Sequence, residues 1–362
     1  MAGDPPSQGK NDLLLLAVLR QPAQVTAFAA HQWDLLIRQA RKHSLLARLG
    51  FVLDACDQLP AVPHEPLQHL VAALRLAEKH KRDVMWEVRC LCKVLEPIDT
   101  PVVLLKGAAY AVADLPPARG RVFGDIDIMV RKVRIEGVEN ALRSAGWIYT
   151  ETDPYNQHYY RTWMHQLPPM VHFSRGMTVD VHHTIVPQTA RMAVGGSVLF
   201  DAMQPIAGYD NLYVLAPADM VLHNAVHLFN EGEFNNGLRD LIDLDELLRH
   251  FGKDARFFDK LVDRAEQLGL TRPLAYACRH AHSLLATPIP SIIMARLNDK
   301  LSGPVASIVS ASMRRALLSG GQSSGALHDA AAGALLYIRG HAMRMPMRLL
   351  IPHLLRKAWK SE

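Results

Sequence analysis

Apolar residues recur at three- and four-residue spacing through "HQWDLLIRQARKHSLLARLGFVLDA" and again through "EPLQHLVAALRLAEKHKRDVMWEVRCLCKVLE". That period predicts amphipathic helices over residues 12–96, ended by Pro97. The pattern then shifts. "TPVVLLKGAAYAVADL" predicts a short buried strand, a Lys-Gly turn and a helix, and "VFGDIDIMV" a second strand. "KVRIEGVENALRSAGW" predicts a helix stopping near Gly146, and "MVHFSRGMTVDVHHTI" a hairpin turning at Ser-Arg-Gly. From "LYVLAPADMVLHNAVHLF" onward the helical period returns, through "GLRDLIDLDELLRHF", "FDKLVDRAEQLGL" and "PLAYACRHAHSLLA".

The expected architecture is α+β: a small mixed sheet flanked by helical regions on both sides. We divide the chain into a flexible tail (1–11), an N-terminal helical region (12–96), an α/β core (97–214), a C-terminal helical region (215–325) and a basic helical segment (326–362). The Gly/Ser stretch "LSGGQSSGAL" reads as a loop before that last segment.

Two acids break the apolar run of the second strand. Residues two apart on a strand point the same way, so Asp125 and Asp127 share one face, and Ile126, Ile128 and Val130 share the other. Burying charge without compensation is costly. Two acids on one face suit divalent cations, because Mg²⁺ takes carboxylate oxygens and completes its shell with phosphates and water. "TVDVHH" supplies a third acid, Asp180, facing away from Val179 and Val181 and alongside His182. Three acids support a two-metal site. An Asp-x-Asp also marks exposed edge strands and turns, and that reading stays open. Lys106-Gly107 follows the first strand, at a turn where glycine admits a phosphate to the backbone.

Taken together, "LLKGAAYA", "RVFGDIDIMV", the helix ending in "AGW", and "VDVHH" resemble the uncharacterised nucleotidyltransferase family, within the polymerase-beta-like superfamily. The resemblance extends through "LAPADMVLHNAVHLF" and "GLRDLIDLDELL", spanning about residues 30–290. It implies Asp125, Asp127 and Asp180 as catalytic metal ligands for two Mg²⁺ ions. It implies an NTP donor over Lys106, Gly107, Ala108, Arg121 and Gly124. Ala108 stands where the wider superfamily has serine or glycine; Lys106 either substitutes for the missing hydroxyl at the phosphate or is a solvated lysine beside the turn. Arg121 pairs with a phosphate or with a nearby acid. The implied reaction moves an NMP, with AMP expected, to a hydroxyl on a small molecule, a protein or an RNA end. A non-catalytic nucleotide- or partner-binding module is the alternative from another class.

His223 and His227 sit at i and i+4, on one helix face. Asn224 occupies the position where a zinc protease needs its general-base glutamate, which excludes that chemistry. We place His182, His223, His227 and Asp243 around the site rather than at its centre. Asp243 would orient a histidine, position the acceptor or pair with Arg239.

Composition alters this picture little. Hydrophobic residues are 49% and charged residues 21%, enough for a sizeable core. A net charge of +5 is too small and too scattered to single out nucleic acid. Cys56, Cys90, Cys92 and Cys278 make no CxxC pair, which fits a reducing, cytoplasmic compartment. No apolar run reaches the roughly 18 residues of a transmembrane helix. Arg339, Arg344, Arg348, Arg356, Lys357 and Lys360 make the C-terminus basic. They suggest a weak membrane or RNA contact, and thus a third reading as a membrane-surface accessory protein. Pro346 and Pro352 break any continuous amphipathic face there.

Overall fold

The computed structural model describes residues 13–187, 189, 190, 192, 194–230, 232, 234–319, 327–346, 348 and 350. The chain opens with α1 (Leu14–Arg20), α2 (Ala30–Lys42), α3 (Leu46–Ala55) and the long α4 (His64–Leu95). Along α4 the buried apolar positions are Leu70, Ala77, Val84, Val88, Leu91 and Leu95, the stripe its period predicts.

The core then alternates strands and helices. In order these are β1 (Val102–Leu104), α5 (Lys106–Val112), β2 (Asp125–Met129), α6 (Ile135–Ser144), β3 (Trp147–Tyr149), α7 (Pro154–Trp163), β4 (Met170–His172), β5 (Thr178–His182), α8 (Gly196–Phe200), β6 (Gln204–Pro205) and β7 (Leu212–Val214). The strands form one seven-stranded mixed sheet in the order β3-β4-β5-β2-β1-β7-β6. β2 and β5 run parallel side by side at its middle, and β1 flanks β2 antiparallel. Ile126, Ile128, Met129 and Val130 are fully buried, as a central strand covered on both faces requires.

Helices α9 (Pro217–Asn230), α10 (Gly237–Phe251), α11 (Phe257–Gln267), α12 (Thr271–Leu285), α13 (Ser291–Asn298), α14 (Pro304–Ser319) and α15 (Leu327–Arg344) complete the chain. The protein is thus mixed α+β, with helices on either side of one sheet in sequence. Among the described residues no helix is long and apolar enough to cross a membrane.

The two strands and two helices read from the sequence form, as does the β4-β5 hairpin. β3, β6 and β7 were not anticipated; at two or three residues they are too short to show an alternation. One residue of the basic C-terminus is held within the fold. Arg339 donates to the Phe229 carbonyl at 2.7 Å and lies 5.5 Å from the Tyr276 ring, fastening α15 to α9 and α12. The tail 1–11, most of the Gly/Ser loop, Pro352, Arg356, Lys357 and Lys360 lie outside the described residues.

Gly120 fixes the approach to β2. Its φ is +60°, and an added Cβ would lie 2.7 Å from the Ala47 carbonyl and 2.8 Å from Phe51 Cβ, both on α3. Backbone therefore packs on backbone where the chain turns toward Arg121. We expect Gly120→Ala to destabilise the fold by about 2–4 kcal/mol, combining a left-handed alanine with overpacking. Thermal unfolding would register this as a drop of several degrees.

Candidate active site

The parallel register of β2 and β5 sets Asp127 directly opposite Asp180, with Asp125 opposite Thr178. Because both strands alternate faces in phase, all three acids reach one side of the sheet. There they line a cleft of about 350 Å³ together with Lys106, Gly107 and Arg121. Asp127 is buried, and its Oδ1 lies 2.9 Å from His182 Nε2 and 3.4 Å from Lys106 Nζ. Burial works to raise the Asp127 carboxyl, but Lys106 and His182 together hold it well below the usual carboxylate range. The surrounding protein, and then the Asp127 charge, push Asp125 up. The same two causes push Asp180 up to about 6.

Asp180 Oδ1 is buried with no hydrogen-bond partner. One ligand atom from each of Asp127, Asp180 and His182 lies within 4.8 Å of the others. An orphaned carboxylate oxygen beside a second carboxylate fits a divalent cation, and these residues could hold one.

A raised aspartate pKa means that folding favours the protonated form, so its cost to stability grows as pH rises from about 4 through about 6 and is full above that. In metal-free protein Asp180→Asn should therefore raise stability by roughly 2 kcal/mol at pH 8. The gain should vanish near pH 4. Chemical denaturation at the two pH values checks the sign.

The turn before α5 leads straight into the helix. Lys106 is left-handed, with φ +43°, and the helix starts there directly. A Cβ at Gly107 would be tightly placed, with Phe123 Cδ1 at 3.1 Å and Arg121 Nε at 3.3 Å. Gly107 lines the cleft, and its lack of a side chain also lets the 121–123 segment approach closely. Ala108 is 1% exposed and belongs to the hydrophobic core, so its methyl does not reach the cleft. Gly124 is exposed with nothing within 4 Å of a notional Cβ, and it is not among the cleft residues.

Arg121 lies beside the turn and lines the cleft. Its guanidinium forms an ion pair with Asp243 on α10, between the rings of Tyr110 and Phe123 at 5.8 and 5.9 Å. Of the two roles anticipated, the structure holds the pairing with an acid. Asp243 correspondingly pairs with Arg121 rather than with Arg239 on its own helix. Arg239 instead donates to Asp240 at 2.9 and 3.0 Å.

Helices α9 and α10 form the opposite wall. His223 and His227 both line the cleft, as one helix face requires. Burial, then Lys106 and His182, hold His223 well below the ordinary histidine range, so it is a neutral imidazole at pH 7. Against the effect of burial, Arg239 and His227 keep Asp240 below its usual value. His227 Nε2 lies 3.9 Å from Asp240 Oδ2.

Sequence reading missed Tyr110, Asn224 as a cleft residue, His165, Gln166, Asn235 and Asn236. Tyr110 looks like core, and it is fully buried; the Asn224 side chain hydrogen-bonds its hydroxyl. His165 and Gln166 follow α7 and reach the cleft through an isolated bridge between Gln166 and His182. No local period marks such a segment. Asn235 and Asn236 immediately precede α10, where polar residues read only as a loop.

Comparison with curated proteins and with solved structures finds no match. A family model described as uncharacterised nucleotidyltransferase matches residues 29–286. That span runs from just before α2 to the end of α12 and includes every cleft residue. The chain belongs to the uncharacterised nucleotidyltransferase family.

Proposed function

We propose that this protein is an Mg²⁺-dependent nucleotidyltransferase that moves an NMP, AMP in the first instance, from an NTP to a hydroxyl acceptor and releases pyrophosphate. The observation that carries the reading is the pairing of Asp127 with Asp180, and Asp125 one pleat away, in a cleft that also holds Lys106. Asp125, Asp127 and Asp180 would hold the ions, two of them by this reading. Such ions supply charge stabilisation for the leaving pyrophosphate and for the attacking oxygen.

The chain's own groups do the rest. The acceptor oxygen attacks the α-phosphorus as the bond to the β-phosphate breaks. Lys106 presents a cation to the triphosphate. Asp180 either completes the ion site or accepts the proton of the attacking hydroxyl. The polar wall of His227, Asn235, Asn236 and Asp240 would orient the acceptor. Asp125→Asn should reduce Mg²⁺-dependent pyrophosphate release by at least about 100-fold while leaving the thermal transition intact. Full activity in that variant would remove Asp125 from the ion site.

One observation favours a second reading, a nucleotide- or partner-binding module without turnover. Ala108, which follows the Lys106-Gly107 turn, has no hydroxyl for a terminal phosphate. ATP binding by calorimetry with no turnover under any acceptor would favour this reading. Association with an anionic membrane through the basic C-terminus is tested by liposome flotation.

A further inference from the structure

Three donor groups meet where β2 and β5 adjoin, and they are not alike. His182 lies two residues beyond Asp180, on the same face of β5. Its side chain is 2% exposed. The Nε2 atom is 2.9 Å from Asp127 Oδ1, and Nδ1 is buried without a partner. Asp180 Oδ1 is equally orphaned. Buried polar atoms are normally paired, so the unpartnered Asp180 Oδ1, close to Asp127 and His182, points to a missing ligand. His165 stands beside the imidazole, with ring centroids 5.2 Å apart, and limits its swing.

Asp127, Asp180 and His182 offer ligand atoms within 4.8 Å of one another. First-row divalent ions bind nitrogen and oxygen at about 2.0–2.2 Å, so they span donors roughly 4 Å apart. The separation of the three donor atoms is close to that span. Asp125 is outside that group, at the solvent-open start of β2.

We propose that the two ion positions in this cleft are chemically unequal. Asp125 and Asp127 make an all-oxygen position suited to Mg²⁺. Asp127, Asp180 and His182 make a mixed carboxylate–imidazole position that selects a first-row transition dication. This inference rests on the reading of the cleft as a divalent-ion site, and it assigns His182 as a ligand rather than a bystander. Mg²⁺ demands oxygen donors in near-ideal octahedral geometry and gives up water reluctantly. Neutral imidazole instead favours transition ions, whose affinities exceed that of Mg²⁺ at nitrogen-containing sites. For ligation the His182 proton sits on Nδ1, leaving the Nε2 lone pair toward the two carboxylates. Asp127 bridges both positions.

The test uses full-length, chelator-treated protein without nucleotide. Mn²⁺ is titrated by electron paramagnetic resonance, and bound Mn²⁺ is probed for ¹⁴N coupling by pulsed methods. We expect directly bound nitrogen in the wild type, surviving excess Mg²⁺. In His182→Gln we expect the coupling to disappear and Mn²⁺ to bind at least about tenfold more weakly, with Mg²⁺ affinity unchanged. Wild-type protein that binds Mn²⁺ without nitrogen coupling overturns the imidazole ligand and leaves the carboxylate site standing, whether or not the variant folds. Coupling that persists in folded His182→Gln also overturns it. Wild-type protein that binds no divalent ion overturns both this inference and the transferase reading beneath it.

Discussion

Asp127→Asn is expected to lower metal-dependent pyrophosphate release by about a thousandfold or more, the largest loss of any single change in the cleft. Asp127 is the residue on which the other charged groups converge. It faces Asp180 across the strand pair, and its Oδ1 meets both His182 and Lys106. Asparagine keeps the shape and one acceptor oxygen but removes the charge that a divalent ion requires. Because the folded pKa of Asp127 is depressed, its contribution to stability is present above the ordinary aspartate range and is lost as pH falls below it. The variant should therefore lose some stability at neutral pH and show a flatter acid limb. A pyrophosphate assay and a denaturation series across pH 3–7 separate the catalytic loss from the structural one. Activity within tenfold of wild type would remove Asp127 from the centre of the site.

The second large effect is on folding. Arg121 and Asp243 are 9% and 3% exposed, and their ion pair joins the strand-flanking turn to the helical wall. Removing one partner of a buried pair leaves the other charged and unsolvated. Asp243→Ala should therefore cost about 3–5 kcal/mol. The cost has a specific reversal. Arg121→Met combined with Asp243→Leu replaces the pair with apolar volume, so it should regain most of that stability. Activity should stay low in the double variant, because Gly107 and the 121–123 segment pack against each other at the cleft edge. Urea unfolding of wild type, single and double variants measures this. A double variant no more stable than Asp243→Ala would show that Arg121 acts through contacts other than the ion pair.

Strand period made part of this site legible in the sequence. It put Asp125 and Asp127 on one face and His182 on the Asp180 face, and helix period put His223 and His227 together. What it does not carry is register between distant segments. The Asp127-Asp180 pairing and the Arg121-Asp243 pair join residues far apart in sequence, through contacts that no local spacing encodes. A glycine reads ambiguously for a physical reason. A missing side chain serves a tight approach by any neighbour, and at Gly107 that neighbour is the protein itself, Phe123 and Arg121. Ala108 was read by its neighbour in the motif, whereas the helix that begins at Lys106 turns it into the core.

The most direct test of nucleotidyl transfer follows the label rather than the rate. The protein is incubated with Mg²⁺ and a cellular extract as the acceptor source, using ATP labelled at the α-phosphate in one series and at the γ-phosphate in another. We expect α-label to appear on an acceptor, γ-label to appear in pyrophosphate, and both to be lost in Asp127→Asn. Transfer of γ-label to the acceptor, or release of inorganic phosphate alone, would contradict the account.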